Sequence, residues 1–475
     1  MKDSKSGLAR TVKAHFNRGA FYLVLLIGIC LIPFALAQRM TRRAPANIIT
    51  VISLNDSGSG SLRQALADAS DGDTINFAVS GTIGLTSGEL LVAKSITISG
   101  PGAENLAVNG NAKNTVFHIV PGETATISDL TINDGSAGSG GGVHNDHAAL
   151  TLNNCTITGN QGGGIYNDAE YVEGLPLSAL LEVSNCLVTD NSGNGIYNNA
   201  EGGGVATLEM TDSILSNNSG EAIHSHGFLC LYCGHGTATV QITNSSITSN
   251  GAGIYTDTGE LGPTTLSLGN STVSGNAGAA VHVSVEATAA VGNSTISGNL
   301  GGGIYTDFGA PTGGTSVVNS TMSDNSVEIW YGGAYIKNTV FKVSPGGHSI
   351  VSDGFSTIIS DGYNVSSDDG AGYLNGPGDQ INTDPQLGPL QDNGGPTFTH
   401  ALLPGSPGID AGDPKFVPPP LYDQRGPGFD RVRGGRIDIG SFEVQETTPT
   451  PTPRVTPTPR VAPTPQPRPT PAPRP

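Results

Sequence analysis

The middle of the chain repeats one heptapeptide, and that repeat constrains the fold more than any other feature. The pattern N-[C/S]-x-[I/V/M]-[S/T]-x-N reads NCTITGN from Asn154, NCLVTDN from Asn185, NSSITSN from Asn244, NSTVSGN from Asn270, NSTISGN from Asn293 and NSTMSDN from Asn319. DSILSNN from Asp212 is a variant, and DLTINDG from Asp129 is a weaker first copy. Copies start 23 to 32 residues apart. A period of this length marks a solenoid, and unequal spacing predicts loops of varying length on one side.

Each copy alternates with period 2. Leu150 and Leu152 alternate, Asn154 interrupts, Cys155 and Ile157 alternate, Asn160 interrupts again, and Ile165 follows a run of glycines. Short strands separated by Asn and Gly corners predict a parallel β-helix, with coils stacked at ~4.8 Å. The corner asparagines are expected to hydrogen-bond along the axis, as amide ladders do in stacked strands.

The composition agrees with this fold class, which is all-β. Glycine makes up 68 of 475 residues, about twice the usual ~7%. In helices each such glycine would cost about 1 kcal/mol. No strict G-X-Y period is visible, which excludes collagen. Charged residues are 13% of the chain, and the formal net charge is −18. Residues 1–43 hold eight bases and the 446–475 tail holds four arginines, leaving ten bases against 38 acids in 44–445. A body at −28 disfavours nucleic acid and anionic membranes and favours cations or neutral surfaces.

The two ends differ from the body. Residues 20–37, AFYLVLLIGICLIPFALA, follow a basic segment and end in Ala35-Leu36-Ala37, a small-x-small signal. Residues 1–37 therefore read as a signal peptide, with the mature chain starting near Gln38. The alternative is an uncleaved N-terminal anchor, the one route by which a membrane would be a partner. Either implies a secreted or cell-surface protein. Residues 446–475 carry twelve prolines in a PT/PR pattern and read as a disordered tether. At ~3.1 Å per residue it would reach roughly 90 Å.

A solenoid needs closed ends. Ser61-Leu62-Arg63-Gln64 has the capping-box spacing, and Leu62, Ala65, Leu66 and Ala69 share one helical face. A short amphipathic helix is expected over the first coil.

Two stretches resemble a known group. GSLRQALADASDGDTINF (60–77) with TISGPGAENLAVNG (97–110) is similar to the N-terminal part of bacterial exported β-helix proteins of the CSLREA type, with Gly60 at the cysteine position. NTDPQLGPLQDNGGPTFTHALLPGSPGIDAGD (382–413), DQRGP (423–427) and RIDIGSFE (436–443) resemble the C-terminal region of choice-of-anchor Q proteins. The resemblance spans roughly residues 50–445. It implies a right-handed β-helix of the pectin-lyase type and surface export, but no particular reaction. The expected layout is a cap segment at 38–80, β-helix repeats at 81–375, an anchor-like region at 376–445 and the tether.

Known enzymes of that fold include polysaccharide lyases and hydrolases. An arginine base is hard to place, because no arginine occurs between Arg63 and Arg425. GHG (234–236), DD (368–369) and NTD (382–384) occur in the reverse of the polygalacturonase order and without RIK, so they read as coincidence.

A different constellation stands out. The residue after each GGG-[I/V] step is His144, Tyr166, Tyr197, His224, Tyr255, His282, Tyr305 and then Tyr335. Two positions on come Asp146, Asp168, Asn199, His226, Asp257, Ser284, Asp307 and Lys337. If Val143 and Ile165 point inward, both columns point outward. Eight rungs at ~4.8 Å would give a stripe of about 34 Å. Rings beside carboxylates suit an extended glycan, and the acidic face suits calcium. The plainer alternative is that the rings only shield the sheet.

Cys155 and Cys186 occupy equivalent repeat positions and read as stacked core residues, with a disulfide left open. Cys230 and Cys233 lie near His224, His226 and His235. That set suits either a local disulfide or zinc. No cofactor is required by this sequence. The leading expectation is a monomeric, non-catalytic adhesion or carbohydrate-binding protein whose partner is an extracellular polysaccharide or surface glycan. A polysaccharide lyase or glycoside hydrolase is the alternative.

Overall fold

The computed structural model describes residues 46–445 except 175–177, 231–233, 260–263, 285–286 and 308–313, and leaves out the side chains of 229, 230 and 234. The expected signal peptide, the tether and Cys233 lie outside these residues, as does the Cys230 side chain.

The alternating apolar residues form three parallel sheets. Among the described residues, sheet I has thirteen strands, from Ile48–Val51 to Thr357–Ser360. Sheet II has twelve, from Gly81–Gly84 to Val365–Ser366, and sheet III has eleven, from Leu90–Val92 to Ile350–Ser352. Each coil visits sheets I, II and III in turn. One coil runs Ala149–Asn153, Thr156–Thr158 and Ile165–Asp168. Leu150, Leu152, Ile157 and Ile165 all point into one continuous core. Sheet I already includes Ile48–Val51 and Thr74–Phe77, so stacked rungs begin inside the segment read as a cap.

The repeat motif maps onto three jobs. Its first residue makes the corner between sheets I and II. Asn154, Asn185, Asn244, Asn270, Asn293 and Asn319 have φ of 50–54°, and Asp129 and Asp212 take the same conformation. Asn and Asp enter this left-handed region more readily than other non-glycine residues. Their amides also pair between coils, Asn185 with Asn154 and Asn293 with Asn270. The second residue is Cys or Ser because a small side chain must accept a corner N–H. Cys155 N donates to Cys186 Sγ at 3.3 Å, Cys186 N to Ser213 Oγ at 3.1 Å, and Ser213 N to Ser245 Oγ at 3.1 Å. Cys155 and Cys186 are both buried and free, so the disulfide left open by the sequence is not formed.

The last Asn of the motif is buried in every copy. Asn160, Asn191, Asn218, Asn250, Asn276, Asn299 and Asn325 form a ladder inside the corner between sheets II and III. Each Nδ2 donates to the next Oδ1 at 2.8–3.0 Å. Backbone N–H groups feed the same oxygens. Loop length varies mainly between sheets III and I: residues 147–148 join Asp146 to Ala149, whereas 169–177 join Asp168 to Ser178.

The expected helix α1 spans Leu62–Asp68, and the Ser61 side chain accepts from Gln64 N at 3.2 Å. Leu62, Ala65 and Ala69 join the solenoid core. Arg63 ties the helix to the first coil through Asp56 at 2.7 Å and the carbonyls of Gly88 and Glu89.

Beyond Ser366 the chain leaves the coil path and turns back onto the outer face of sheet II. The rungs there present Thr272, Thr295 and Thr321 in register. Gln424 bonds to Thr272 and Thr295, and Ser441 to Thr321. His400 Nε2 meets Ser297 Oγ at 2.9 Å. Arg425 is buried, paired with Asp423 at 2.5 Å and sandwiched between Phe429 and Phe442. The residues that carry the choice-of-anchor resemblance are those that make this clasp.

Candidate functional site

Sheet III places the ring column on its outer face. The register aligns His118, His144, Tyr166, Tyr197, His224, Tyr255, His282 and Tyr305 on eight successive rungs. The inward partners Phe117, Val143, Ile165, Ile196, Ile223, Ile254, Val281 and Ile304 are buried, which fixes the rings outward. Centroid separations are 4.7–5.3 Å along the whole column.

Two assignments change at the ends. His118 precedes His144 and was not read from the sequence, because its strand Phe117–Ile119 lacks the glycine step; the signal was an imidazole alternating between two apolar residues. Tyr335 and Lys337 do not continue the columns, since they lie on sheet I in Gly333–Lys337. The rung above Tyr305 carries Glu328 and Trp330 instead. The Gly332-Gly333 step before Tyr335 imitates the motif, but the true rung follows directly after Asn325.

The second column aligns Asp146, Asp168, Asn199, His226 and Asp257, and Ser284 aligns with Asp307. The two columns bond diagonally at several rungs, a first-column residue reaching one rung up. His118 Nε2 lies 3.3 Å from Asp146, His144 Nε2 3.3 Å from Asp168 and His282 Nε2 3.3 Å from Asp307. Asn199 donates to the Tyr166 hydroxyl at 2.8 Å. These carboxylates are therefore engaged with imidazoles. The hydrogen bond that His118 donates to Asp146 raises the His118 pKa against its burial. Burial acts to raise Asp146, but His118 and His147 more than offset it and hold it low. Burial, with the Asp257 charge next, pushes the Tyr197 hydroxyl up to about 12, so it is a neutral donor.

Ring orientation divides the column. From His118 to Tyr197 the rings stack at 22–29°, so neighbouring rings cover one another's faces and only edges face out. From Tyr197 to Tyr305 successive rings tilt by 44–75°. Faces open there, beside a shallow depression lined by Glu221, Ala252, Ile254, Tyr255, Ala279 and His282. The alanines leave the room that a larger outward residue would fill.

Among the described residues, two groups have ligand atoms within 4.8 Å of one another: His224, His226 and Asp257, and His144, Asp146 and Asp168. Of the expected zinc set, His224 and His226 converge with Asp257 and His235 lies exposed on the short 234–235 strand, while the Cys230 side chain and Cys233 lie outside the described residues. Lys337 pairs with Asp361 and Asp413, and Lys342 with Asp384. Neither stands on sheet III.

Residues 74–230 match the family described as the right-handed β-helix region. Fold and match together make the chain a right-handed parallel β-helix protein. No curated protein matches it. Among solved structures it is similar to a pectate lyase at 15% identity, covering 85% of this chain and 97% of that one, with a TM-score of 0.49. It is also similar to the A-module of a mannuronan C-5 epimerase from Azotobacter vinelandii at 13% identity, covering 66% and 97%, with a TM-score of 0.42. A third is an α-1,3-glucanase from Streptomyces thermodiastaticus at 16% identity, covering 69% and 71%, with a TM-score of 0.38.

Proposed function

We propose that the protein is an exported, surface-associated β-helix that holds an extracellular glycan on sheet III without cleaving it. The observation that carries this reading is the change in ring orientation at Tyr197. Above it, tilted Tyr255, His282 and Tyr305 offer apolar faces next to a depression edged by Glu221 and by polar ring tips. Sugars need both at once: an apolar face to lie on and oriented groups for their hydroxyls. The catalytic alternative gains no support from the site. Its carboxylates are spent on imidazoles, and the depression is shallow.

The reading distinguishes the two halves of the column. Tyr255→Ala with Tyr305→Ala should weaken polysaccharide retention on the order of tenfold per ring, equivalent to ~1.4 kcal/mol each. His144→Ala with Tyr166→Ala should change it little, since those rings are stacked on both sides. Affinity electrophoresis of both double variants tests this. Equal losses, or none from the Tyr255/Tyr305 pair, would overturn the assignment.

A further inference from the structure

We infer that His224, His226 and Asp257 form a binding site for one divalent ion of the zinc class. His224 and His226 lie two apart on the strand Glu221–Gly227, so both imidazoles project from the same face. Asp257 stands one rung up, directly opposite His226. His224 Nε2 is 3.7 Å from Asp257 Oδ2, and His226 Nδ1 contacts Asp257 Oδ1. Two ligands of a tetrahedral zinc stand ~3.4 Å apart, close to the His224–Asp257 separation, and the ion would replace the hydrogen bond between His226 and Asp257.

Three further observations single this group out. His224 Nε2 is buried and has no hydrogen-bond partner. An imidazole nitrogen left in that state is costly unless something binds it. His224 is also where the ring column stops stacking: it is tilted 46° to Tyr197 and 64° to Tyr255. The tilt accompanies its approach to Asp257. On either side the ligands are braced. Phe228 stacks on His226 at 6.1 Å and 14°, and Glu221 lies 4.0 Å from His224 Nδ1.

The other group, His144, Asp146 and Asp168, lacks these marks. His144 Nε2 bonds to Asp168 at 3.3 Å, and Asp146 is shared by His118 and His147. Two imidazoles and one carboxylate select the zinc class over calcium, which takes six to eight oxygens. Three protein ligands leave a coordination position for water or another oxygen. The site stands on its own residues, whether or not a glycan binds beside it.

The test uses the full chain, stripped with a chelator and titrated with Zn²⁺, Co²⁺ and Ca²⁺ by calorimetry, with Co²⁺ absorbance as a second readout. One equivalent of Zn²⁺ and a visible Co²⁺ spectrum are expected, with Ca²⁺ much weaker. His226→Ala and Asp257→Asn should each weaken Zn²⁺ at least tenfold with an unchanged circular dichroism spectrum. If Asp257→Asn fails to fold, His226→Gln carries the test, since it keeps a polar tip of similar reach. Cys230→Ser with Cys233→Ser should leave Zn²⁺ binding intact. No uptake by the wild type, preference for Ca²⁺, undiminished uptake in the histidine variants, or loss in the cysteine pair would each overturn the site.

Discussion

The two asparagines of each repeat look alike in sequence and do different work. Asn185 sits at a left-handed corner with φ 51°, exposed. Asn250 is buried, and its Oδ1 accepts from Asn218 N at 3.0 Å and from Asn218 Nδ2 at 2.9 Å. Removing it orphans two buried donors and the Leu215 carbonyl. At about 1–3 kcal/mol per orphan, Asn250→Ala should cost about 3 kcal/mol or more. Asn185→Gly should cost far less, because glycine tolerates the corner. Denaturant unfolding of both variants measures the difference, and similar small losses would refute the buried-ladder account. The corner was legible in the sequence because few residue types enter that backbone region. The burial of the final asparagine was not, since nothing in the heptapeptide says which amide turns inward. His118 was missed for a related reason: the column is set by register, and only seven of its members carry the glycine step.

Strands and corners follow directly from period 2, and helix α1 from its capping spacing. The clasp of the C-terminal region on sheet II was not readable, because its partners are ordinary outward threonines of the repeat. That region also contains a pH-sensitive group. Burial, and then the Asp438 charge, pushes the Glu443 carboxyl up to about 8 from its usual 4.5. A raised carboxyl binds its proton more tightly in the folded state, so its contribution is complete below about pH 4.5 and is lost as pH rises through 8. Thermal midpoints should therefore fall between pH 5 and 9 more steeply in the wild type than in Glu443→Gln, which stays neutral throughout. Superimposable profiles would show that Glu443 does not couple folding to pH.

For the whole molecule, the −28 body charge resolves into places. Acids line the outer face of sheet III in diagonal pairs with histidines, and others pin the helix, the loops and the C-terminal clasp. The sequence made the stripe visible as a column of rings. It could not show that half of those rings spend their faces on one another, since ring tilt depends on which neighbour each polar tip reaches. The solenoid therefore narrows the expected 34 Å surface to the stretch above Tyr197. Retention of a glycan without reaction can be read by incubating the full chain with a panel of acidic and neutral polysaccharides and scoring retention and product release in the same samples. At least one polysaccharide should be retained with no new chain ends; unsaturated or shortened products that grow with time would make the protein an enzyme instead.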